Sequence, residues 1–403
     1  MNSTLASAAS AFSARRRATD ERTSPERIYL YLKHFPASGV PLRVGTNKAV
    51  HGLASGLVAN GMEVEIWCEG EKDSYTIVPE GYSIRCFESR SSYRTLRLAP
   101  SLLRRLNSLR PHADLFVLNG MFHPSVYALS RKLKAARIPY VVAPHGPYHP
   151  ALFSKKPYLK WPYWYLLERP TLQDALAVQQ LDVRHEEWAR RLGIDTPIIA
   201  TENGFLNRDV IASDELRWRT SGAVRLLYWG RISIHIKGLD VLLDAFDRSA
   251  QKHDLELTLQ GPDWSGETAA LNKLIAPLSH ADRIRILPPV FEHSAAHAIM
   301  PYDIVCIPSR FEGFGLAALD AMLAARVLMI TASAGIAPHV ERSGGGIVVQ
   351  PTADDIARGF ESLLAVRDQW REMGLRGRAY ALDHLHWNGI ANRALAQYQR
   401  LLN

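Results

Sequence analysis

The sequence predicts an α/β protein with two domains, each built around a doubly wound parallel sheet. The chain has 403 residues, more than one ordinary hydrophobic core organises. An apolar run at 27–32, a helical pattern at 46–60 and a second apolar run at 64–67 give the strand, loop, helix, strand order that opens such a sheet. The same alternation restarts with an apolar run at 224–229. The predicted units are a first Rossmann-like domain at 27–205, a linker at 206–221 and a second Rossmann-like domain at 222–385.

The composition limits the classes of function. With 47% hydrophobic and 22% charged residues it is typical of a soluble globular protein, and no apolar run reaches the ~20 residues that a membrane-spanning helix needs. The net charge of +8 calls for an anionic partner, but we find no nucleic-acid-binding motif. Because Cys68, Cys86 and Cys306 are odd in number and widely spaced, we expect free thiols in a reducing, cytoplasmic compartment and no metal site. Residues 1–26, rich in Ser, Ala and Arg, predict a disordered tail.

The first domain offers candidate ligand contacts at the carboxyl ends of its strands, where ligands of doubly wound sheets bind. The loop at 33–45, which contains Gly39, follows the first strand and is a candidate binding loop. His145 also follows a predicted strand, a position that fits either a functional histidine or a hydrogen-bonded core histidine. Asn119 and His123, after the preceding strand, are weaker candidates of the same kind.

Two segments of the first domain combine basic and apolar residues. Between 97 and 110, leucines form one face of a predicted helix and arginines the other. Such a helix fits the surface of an anionic bilayer, but it also fits an ordinary core-facing helix with a solvated basic rim. The segment at 155–165 mixes lysine with Trp and Tyr, which are enriched at membrane interfaces. Both segments leave an anionic membrane surface open as a partner.

Two basic residues bracket the first loop of the second domain. Gly230 and Arg231 follow its first strand, and Lys237 ends the loop before an amphipathic helix. Because this loop lies at the carboxyl end of a strand, Arg231 and Lys237 can clamp a diphosphate from two sides. The second strand runs into a turn at Gly261. The remaining strands of this domain are predicted at 255–260, 283–287, 304–307, 327–331 and 346–349.

A glycine-bearing turn between a strand and a helix stands at the centre of the second domain. Its free backbone N–H groups can point at an anion, helped by the positive end of the helix dipole; they belong to Phe314, Gly315 and Leu316. The carboxylates of Glu312 and Asp320 flank the turn, and since carboxylates repel phosphate we expect them to bind hydroxyls of the same ligand. A phosphate with hydroxylated groups on both sides describes a nucleotide-sugar. The alternative to ligand binding is that the glycine is needed only for packing and that Asp320 is a solvated helix residue.

Together these residues resemble the retaining glycosyltransferases of family 4, whose GT-B fold places two Rossmann-like domains on either side of a central cleft. The resemblance covers most of the second domain and is looser in the first. In the first domain it rests on Pro144-His145-Gly146 and Asn203-Gly204. In the second it rests on Gly230-Arg231, Lys237-Gly238-Leu239-Asp240, Leu259-Gln260-Gly261-Pro262-Asp263, Pro308-Ser309-Arg310-Phe311-Glu312-Gly313-Phe314-Gly315-Leu316 and the glycine-rich 343–346.

The resemblance implies a role for each candidate residue. Arg231 and Lys237 would hold the donor diphosphate and stabilise the leaving group. Glu312, with the amides at 314–316, would hold the sugar hydroxyls and the distal phosphate, and His145 would hydrogen-bond the sugar near its reactive carbon. The residues expected to line the donor site are Gly39, Gly230, Gly261, Phe314, Gly315, Leu316 and Asp320.

Two positions depart from the family pattern. The second glutamate of the family, which contacts the ribose, is Asp320 here, one methylene shorter. The paired glycines of the first-domain loop are replaced by Ser38-Gly39 and Gly45. These departures affect the ribose contact and the part of the donor site that the first domain supplies.

The implied reaction is metal-independent transfer of a sugar, with retention, from a GDP- or UDP-sugar to an acceptor hydroxyl, with no other cofactor. The GT-B fold further implies closure of the domains about the linker, with the last helix, at 386–403, crossing back to the first domain. For the acceptor we expect a saccharide or lipid-linked saccharide of a surface polysaccharide or glycolipid, at the inner face of the cytoplasmic membrane; a small-molecule or protein acceptor is the alternative. A nucleotide-sugar epimerase or hydrolase and a non-catalytic donor-binding scaffold subunit are the alternatives. A dehydrogenase is disfavoured because no G-x-G-x-x-G follows either first strand.

Overall fold

The computed structural model describes residues 25–403, apart from 41, 43, 90–94, 112, 147, 150, 155 and 291–294. The predicted tail at 1–26 therefore lies outside the described residues except for its last two. Glu26 already belongs to the first domain, since its backbone N–H donates to Ala113 O at 2.8 Å. The predicted fold class is confirmed: the chain forms two α/β domains, each around a largely parallel sheet.

The first domain is built on an eight-stranded sheet. Its strands are β1 Arg27–Tyr31, β2 Glu63–Gly70, β3 Ser74–Ile77, β4 Ser83–Glu88, β5 Asp114–Asn119, β6 Tyr140–Ala143, β7 Ala177–Gln180 and β8 Ile198–Ala200, in the order β3-β4-β2-β1-β5-β6-β7-β8. All neighbours are parallel except β3, which pairs antiparallel with β4. This antiparallel edge strand was not predicted from the sequence. All four residues of β3 are exposed, so the strand lacks the buried apolar pattern by which sequence analysis recognises strands.

Helices cover both faces of this sheet. They are α1 Gly45–Ala59, α2 Pro100–Leu106, α3 Pro124–Ala135, α4 Ala151–Ser154, α5 Pro157–Tyr163, a π-helical turn Trp164–Glu168, α6 Arg169–Gln173 and α7 Glu186–Arg191. The alternation along β1 sets the two layers: Ile28 packs in the core on the α1 side, and Tyr29 packs in the core on the α2 side.

The helix predicted over 97–110 is shorter than expected. Among the described residues it begins at Pro100, whose fixed φ suits a first helical turn, and ends at Leu106. Leu102 and Leu106 are buried in the core between α2 and the sheet. The apolar side of this helix is therefore already packed against the protein, which decides for the core-facing alternative.

The second domain has a six-stranded parallel sheet in the order β11-β10-β9-β12-β13-β14. Its strands are β9 Val224–Trp229, β10 Leu255–Gln260, β11 Ile284–Leu287, β12 Ile304–Ile307, β13 Val327–Thr331 and β14 Gly346–Val349. All six predicted strands are confirmed, and β11 alone differs, by one residue. The helices are α8 Leu239–Ala250, α9 Thr268–Ile275, α10 Ala295–Ile299, α11 Leu316–Leu323, α12 Ala337–Ser343, α13 Ala353–Leu364 and α14 Trp370–His384.

The chain passes between the domains at two adjacent points. Phe205, in the first passage, pairs with His386, in the second, through a parallel bridge. The last helix, α15 Trp387–Leu402, then packs on α1, which confirms that it crosses back to the first domain. The helices meet closely at Gly56, where a Cβ atom would lie 2.5 Å from the carbonyl oxygen of Trp387. No helix in the described part of the chain is long and apolar enough to cross a bilayer.

Candidate active site in the cleft between the domains

The loops that follow the strands of both sheets enclose one cleft of about 960 Å³. Asn119 and His123 do not line it, although Asn119 contacts a residue that does. All eleven residues predicted for the site do line it: Gly39, His145, Gly230, Arg231, Lys237, Gly261, Glu312, Phe314, Gly315, Leu316 and Asp320. The structure thus brings loop and helix residues of both domains to one surface.

Arg231 sits on a loop whose backbone is held in place by its neighbours. The hydroxyl of Tyr228 donates to Arg231 O at 2.5 Å, and Ile232 N–H donates to Pro262 O at 2.9 Å. Gly261 lies so close that a Cβ atom there would be 1.8 Å from Gly230 O. Among the described residues, no carboxylate forms an ion pair with the Arg231 guanidinium. The loop therefore presents an unpaired cation to the cleft, ready for an anionic ligand.

Lys237 and Glu312 form an ion pair that joins this loop to the glycine-bearing turn. Lys237 Nζ lies 2.5 Å from Glu312 Oε2, and both side chains are largely buried. A second pair, between Arg310 and Asp240, ties the same two segments through bonds of 2.6 and 2.8 Å. Because two charged pairs fasten the loops together, the positions of Lys237 and Glu312 are set before a ligand binds.

The glycine-bearing turn leaves three backbone donors free. Gly315 caps α11 with φ of 107°, a left-handed conformation that favours glycine. Ile336 N–H donates to Phe314 O at 2.9 Å and so holds the turn from behind. Within the described residues, the amides of Phe314, Gly315 and Leu316 donate to no protein acceptor. Three free N–H groups at a helix N-terminus, in the same cleft as Arg231, form an anion-binding arrangement.

Asp320 lies on α11, one turn further from these amides. The pKa of Asp320 is raised to about 6 because burial disfavours its charged form; Lys48 of the first domain lowers the pKa and Asp209 raises it by smaller amounts. Lys48 and Asp209 also line the cleft, so the surroundings of Asp320 come from three parts of the chain. Sequence reasoning missed both residues. The available signal for Lys48 was its place in the first turn of the helix that follows the candidate binding loop.

His145 is held as a neutral side chain. Asn119 donates its amide hydrogens to Tyr31 O and Val117 O, at 3.1 and 3.0 Å, so its Oδ1 atom faces His145 Nε2 at 2.7 Å. His145 Nε2 therefore carries the proton and donates, which leaves Nδ1 as an acceptor. Burial lowers the pKa of His145 to about 4, so the ring is uncharged near pH 7. Such a ring can accept a hydrogen bond from a sugar hydroxyl.

The two domains touch along one side of the cleft. Arg184 of the first domain donates to Ala332 O at 3.0 Å and to Ala334 O at 2.8 Å in the second. The ring of His149 lies 4.5 Å from that of Phe311. These contacts close the cleft on the side of the glycine-bearing turn.

A hydrophobic part of the lining was also missed from sequence. It comprises Trp264, which is 57% exposed, together with Pro289 and Val290. Trp264 follows directly on Gly261-Pro262-Asp263, so an aromatic residue just after a predicted cleft turn was the available signal.

Comparisons with known proteins agree with this architecture. A family model described as "Glycosyl transferase 4-like domain" matches residues 44–204, and one described as "Glycosyl transferases group 1" matches residues 223–366. An MMP α-(1→4)-mannosyltransferase from Mycolicibacterium hassiacum is 26% identical over 215 residues, which are 52% of this chain and 47% of that protein. The chain spans about half the length of the curated relatives that it matches.

Two solved structures show the same fold at low sequence identity. Sucrose-phosphate synthase from Thermosynechococcus elongatus superposes with a TM-score of 0.74 at 20% identity, covering 93% of this chain and 99% of that one. Anabaena HepE in complex with UDP and glucose superposes with a TM-score of 0.68 at 15% identity, again covering 93% and 99%. With family matches in both domains and this shared architecture, the chain belongs to the glycosyltransferases of the GT-B fold, with a glycosyl transferase 4-like first domain and a group 1 second domain.

Proposed function

We propose that this protein is a retaining, metal-independent glycosyltransferase that moves a sugar from a UDP- or GDP-sugar to an acceptor hydroxyl. The observation that carries the proposal is the pairing, in one cleft, of the Arg231 guanidinium, which has no carboxylate partner among the described residues, with the free amides at 314–316. Cation and amides together suit a diphosphate. Glu312 and Asp320 add carboxylates for hydroxyls on either side of it.

The donor is proposed from this charge pattern and from a structural neighbour. The HepE structure holds UDP and glucose, which supports a nucleoside diphosphate sugar as the ligand class. In our assignment Arg231 and Lys237 bind the diphosphate, and Glu312 accepts hydrogen bonds from sugar hydroxyls. Asp320 is assigned to the ribose hydroxyls.

We propose the following chemical step. The bond between the anomeric carbon and the donor phosphate oxygen breaks, and the acceptor oxygen bonds to that carbon on the same face. The acceptor hydroxyl gives its proton to the departing phosphate. Arg231 and Lys237 stabilise the charge that develops on the diphosphate, an effect worth several kcal/mol when the donors are preorganised. Because two cations and three amides supply that stabilisation, we propose that no divalent metal is required.

The acceptor is proposed to be a saccharide or lipid-linked saccharide of a surface polysaccharide or glycolipid, met at the inner face of the cytoplasmic membrane. Neutral His145 suits a hydroxylated ligand, since its unprotonated Nδ1 accepts a hydrogen bond without placing a charge beside the reactive carbon.

Thermal unfolding across a panel of UDP-, GDP- and ADP-sugars, with a metal chelator present, tests the proposal. We expect one UDP- or GDP-sugar to raise the midpoint by several degrees. The shift should vanish in Arg231→Ala and persist in Arg285→Ala, a matched control whose side chain is exposed on β11 outside the cleft. No shift with any donor, or equal shifts in both variants, contradicts the donor site. The anomeric configuration of the product, read by NMR, tests retention.

A further inference from the structure

The surface formed by α5 and the π-helical turn exposes an unusual group of large apolar side chains. Within the first seven of these residues, Pro157–Tyr163, none is buried. We call the exposed group the aromatic ridge: Tyr158 (71% exposed), Leu159 (57%), Trp161 (37%), Tyr165 (58%) and Leu166 (69%). The exposed apolar side chains of this helix are therefore available for a partner.

The ridge is a preformed surface. Its members recur at helical spacing, since Tyr158 is followed by Trp161 and Tyr165, and Leu159 by Leu166, so they share one side of the segment. The ring of Trp161 stacks on that of Phe153 at 4.3 Å and faces that of Tyr165 at 5.9 Å. Phe153 is buried, so this stacking anchors the exposed rings to the core.

The charged residues of the segment that carries the ridge are of one sign. The sequence from 151 to 167 contains no acidic residue, and Lys156 is exposed at the start of α5. The first acidic residue beyond it, Glu168, is buried and accepts hydrogen bonds from the Tyr148 hydroxyl at 2.7 Å and from Phe122 N–H at 3.0 Å. Helix α2, with exposed Arg104, packs on the same face of the sheet. Exposed Tyr, Trp and Leu beside lysine, in a segment without acidic residues, match the headgroup region of an anionic bilayer.

We infer that the aromatic ridge docks this protein onto an anionic lipid surface. Its apolar side chains enter the headgroup boundary while Lys156 and the arginines of α2 face the lipid phosphates. The ridge lies close along the chain to His145, and His149 between them contacts Phe311 of the second domain. The inference deepens the proposed function by naming the surface that meets a lipid-linked acceptor, and in that respect it rests on that function.

Co-sedimentation with vesicles, carried out without any sugar donor, tests the inference. Vesicles of phosphatidylcholine alone are compared with vesicles of equal parts phosphatidylcholine and phosphatidylglycerol. We expect the protein to bind the anionic vesicles and to bind them about tenfold or more weakly after the double change Leu159→Ser and Leu166→Ser. The matched control is Tyr75→Ser with Ile77→Ser, which removes two exposed apolar side chains from β3 and should leave vesicle binding unchanged.

Several outcomes overturn the inference. They are absence of binding to anionic vesicles, equal binding by the ridge variant, and a concentration-dependent dimer that the ridge variant abolishes while vesicles are not bound, which would assign the ridge to a second copy of the chain. The donor-induced thermal shift is measured on the same ridge variant, whose two substituted residues do not line the cleft. If donors do not raise the midpoint of thermal unfolding but the protein binds vesicles, the proposed function is contradicted and the docking surface is supported.

Discussion

The two halves of the cleft differ in how their charges are arranged. The second domain presents cations and amides on loops that ion pairs and backbone bonds hold together, and its Arg231 guanidinium pairs with no carboxylate among the described residues. In the first domain and linker, by contrast, most of the charged lining side chains are already engaged, as in the bond of 3.0 Å between Arg208 and Glu80. Lys48, whose charge acts on Asp320, forms no ion pair among the described residues. Near the donor loops the first domain contributes neutral His145 and apolar residues such as Phe35. The second domain thus suits an anionic group of the ligand, and the first domain suits a group recognised by its shape and its hydroxyl contacts.

The strongest test of this difference between the domains is to remove the cations of the second domain. Arg231→Ala or Lys237→Ala should lower turnover about a hundredfold or more, because preorganised charge at the leaving group is lost while the fold stays intact. Steady-state kinetics with the donor found by thermal shift measure the effect. Arg208→Ala, which removes an arginine already paired to Glu80, is the matched control and should cost far less. Turnover near the wild-type rate in either cation variant contradicts the assignment of Arg231 and Lys237 to the leaving diphosphate.

The contrast also explains what the sequence could reveal. The second domain was predictable because its strands are buried apolar runs and its site residues fall within a few positions of strand ends, as Arg231 and Glu312 do. Each such residue is placed by local structure, so spacing along the chain is enough to locate it.

Other features depend on contacts between distant segments, which no local pattern records. Lys48 approaches Asp320 only because the domains face each other, and β3 carries no buried residue to mark it. The segments at 97–110 and 155–165 look alike in composition, yet Leu102 is buried and Leu159 is exposed. Packing against the rest of the first domain decides between them.

A second prediction concerns the pH dependence of donor binding. The pKa of Asp320 is raised to about 6, so its ionised fraction grows about tenfold between pH ~5 and pH ~7. If the carboxylate accepts hydrogen bonds from the ribose, donor affinity should rise by about that factor over the same range. Binding titrations of wild type and Asp320→Asn measure it, and the variant should show a flat profile.

Stability provides an independent check on the same group. A carboxyl whose folded-state pKa is raised favours folding at low pH and loses that contribution as pH rises through about 6. Without donor, Asp320→Asn should therefore be more stable than wild type at pH ~7 and should lose that advantage at pH ~4. A pH-dependent affinity that survives in Asp320→Asn would show that another group controls it.

A smaller effect is expected from the neutral side of the cleft. His145→Phe should reduce kcat/KM by about threefold to tenfold, the worth of one hydrogen bond between uncharged groups, since the ring carries no charge to lose. Asn119→Leu should produce a similar loss, because the Nε2 proton is then no longer fixed by Asn119 Oδ1. A loss as large as that of Arg231→Ala would mean that His145 acts as a charged or proton-transferring group, and the contrast between the two halves would fail.

The smallest predicted effect concerns the contact between the two domains along one side of the cleft. Arg184→Ala removes two hydrogen bonds to Ala332 O and Ala334 O, and because the side chain is partly exposed we expect only about a threefold rise in the donor KM, with kcat little changed. Arg190→Ala is the matched control, since this arginine also donates to carbonyl oxygens, those of Ile194 and Thr196, but within its own domain. If KM rises in Arg184→Ala but not in the control, the contact between the domains holds the first domain over a donor that the second domain has already bound. If the control raises KM equally, the contact between the domains does not contribute specifically to donor binding, and the two domains act as one preformed site.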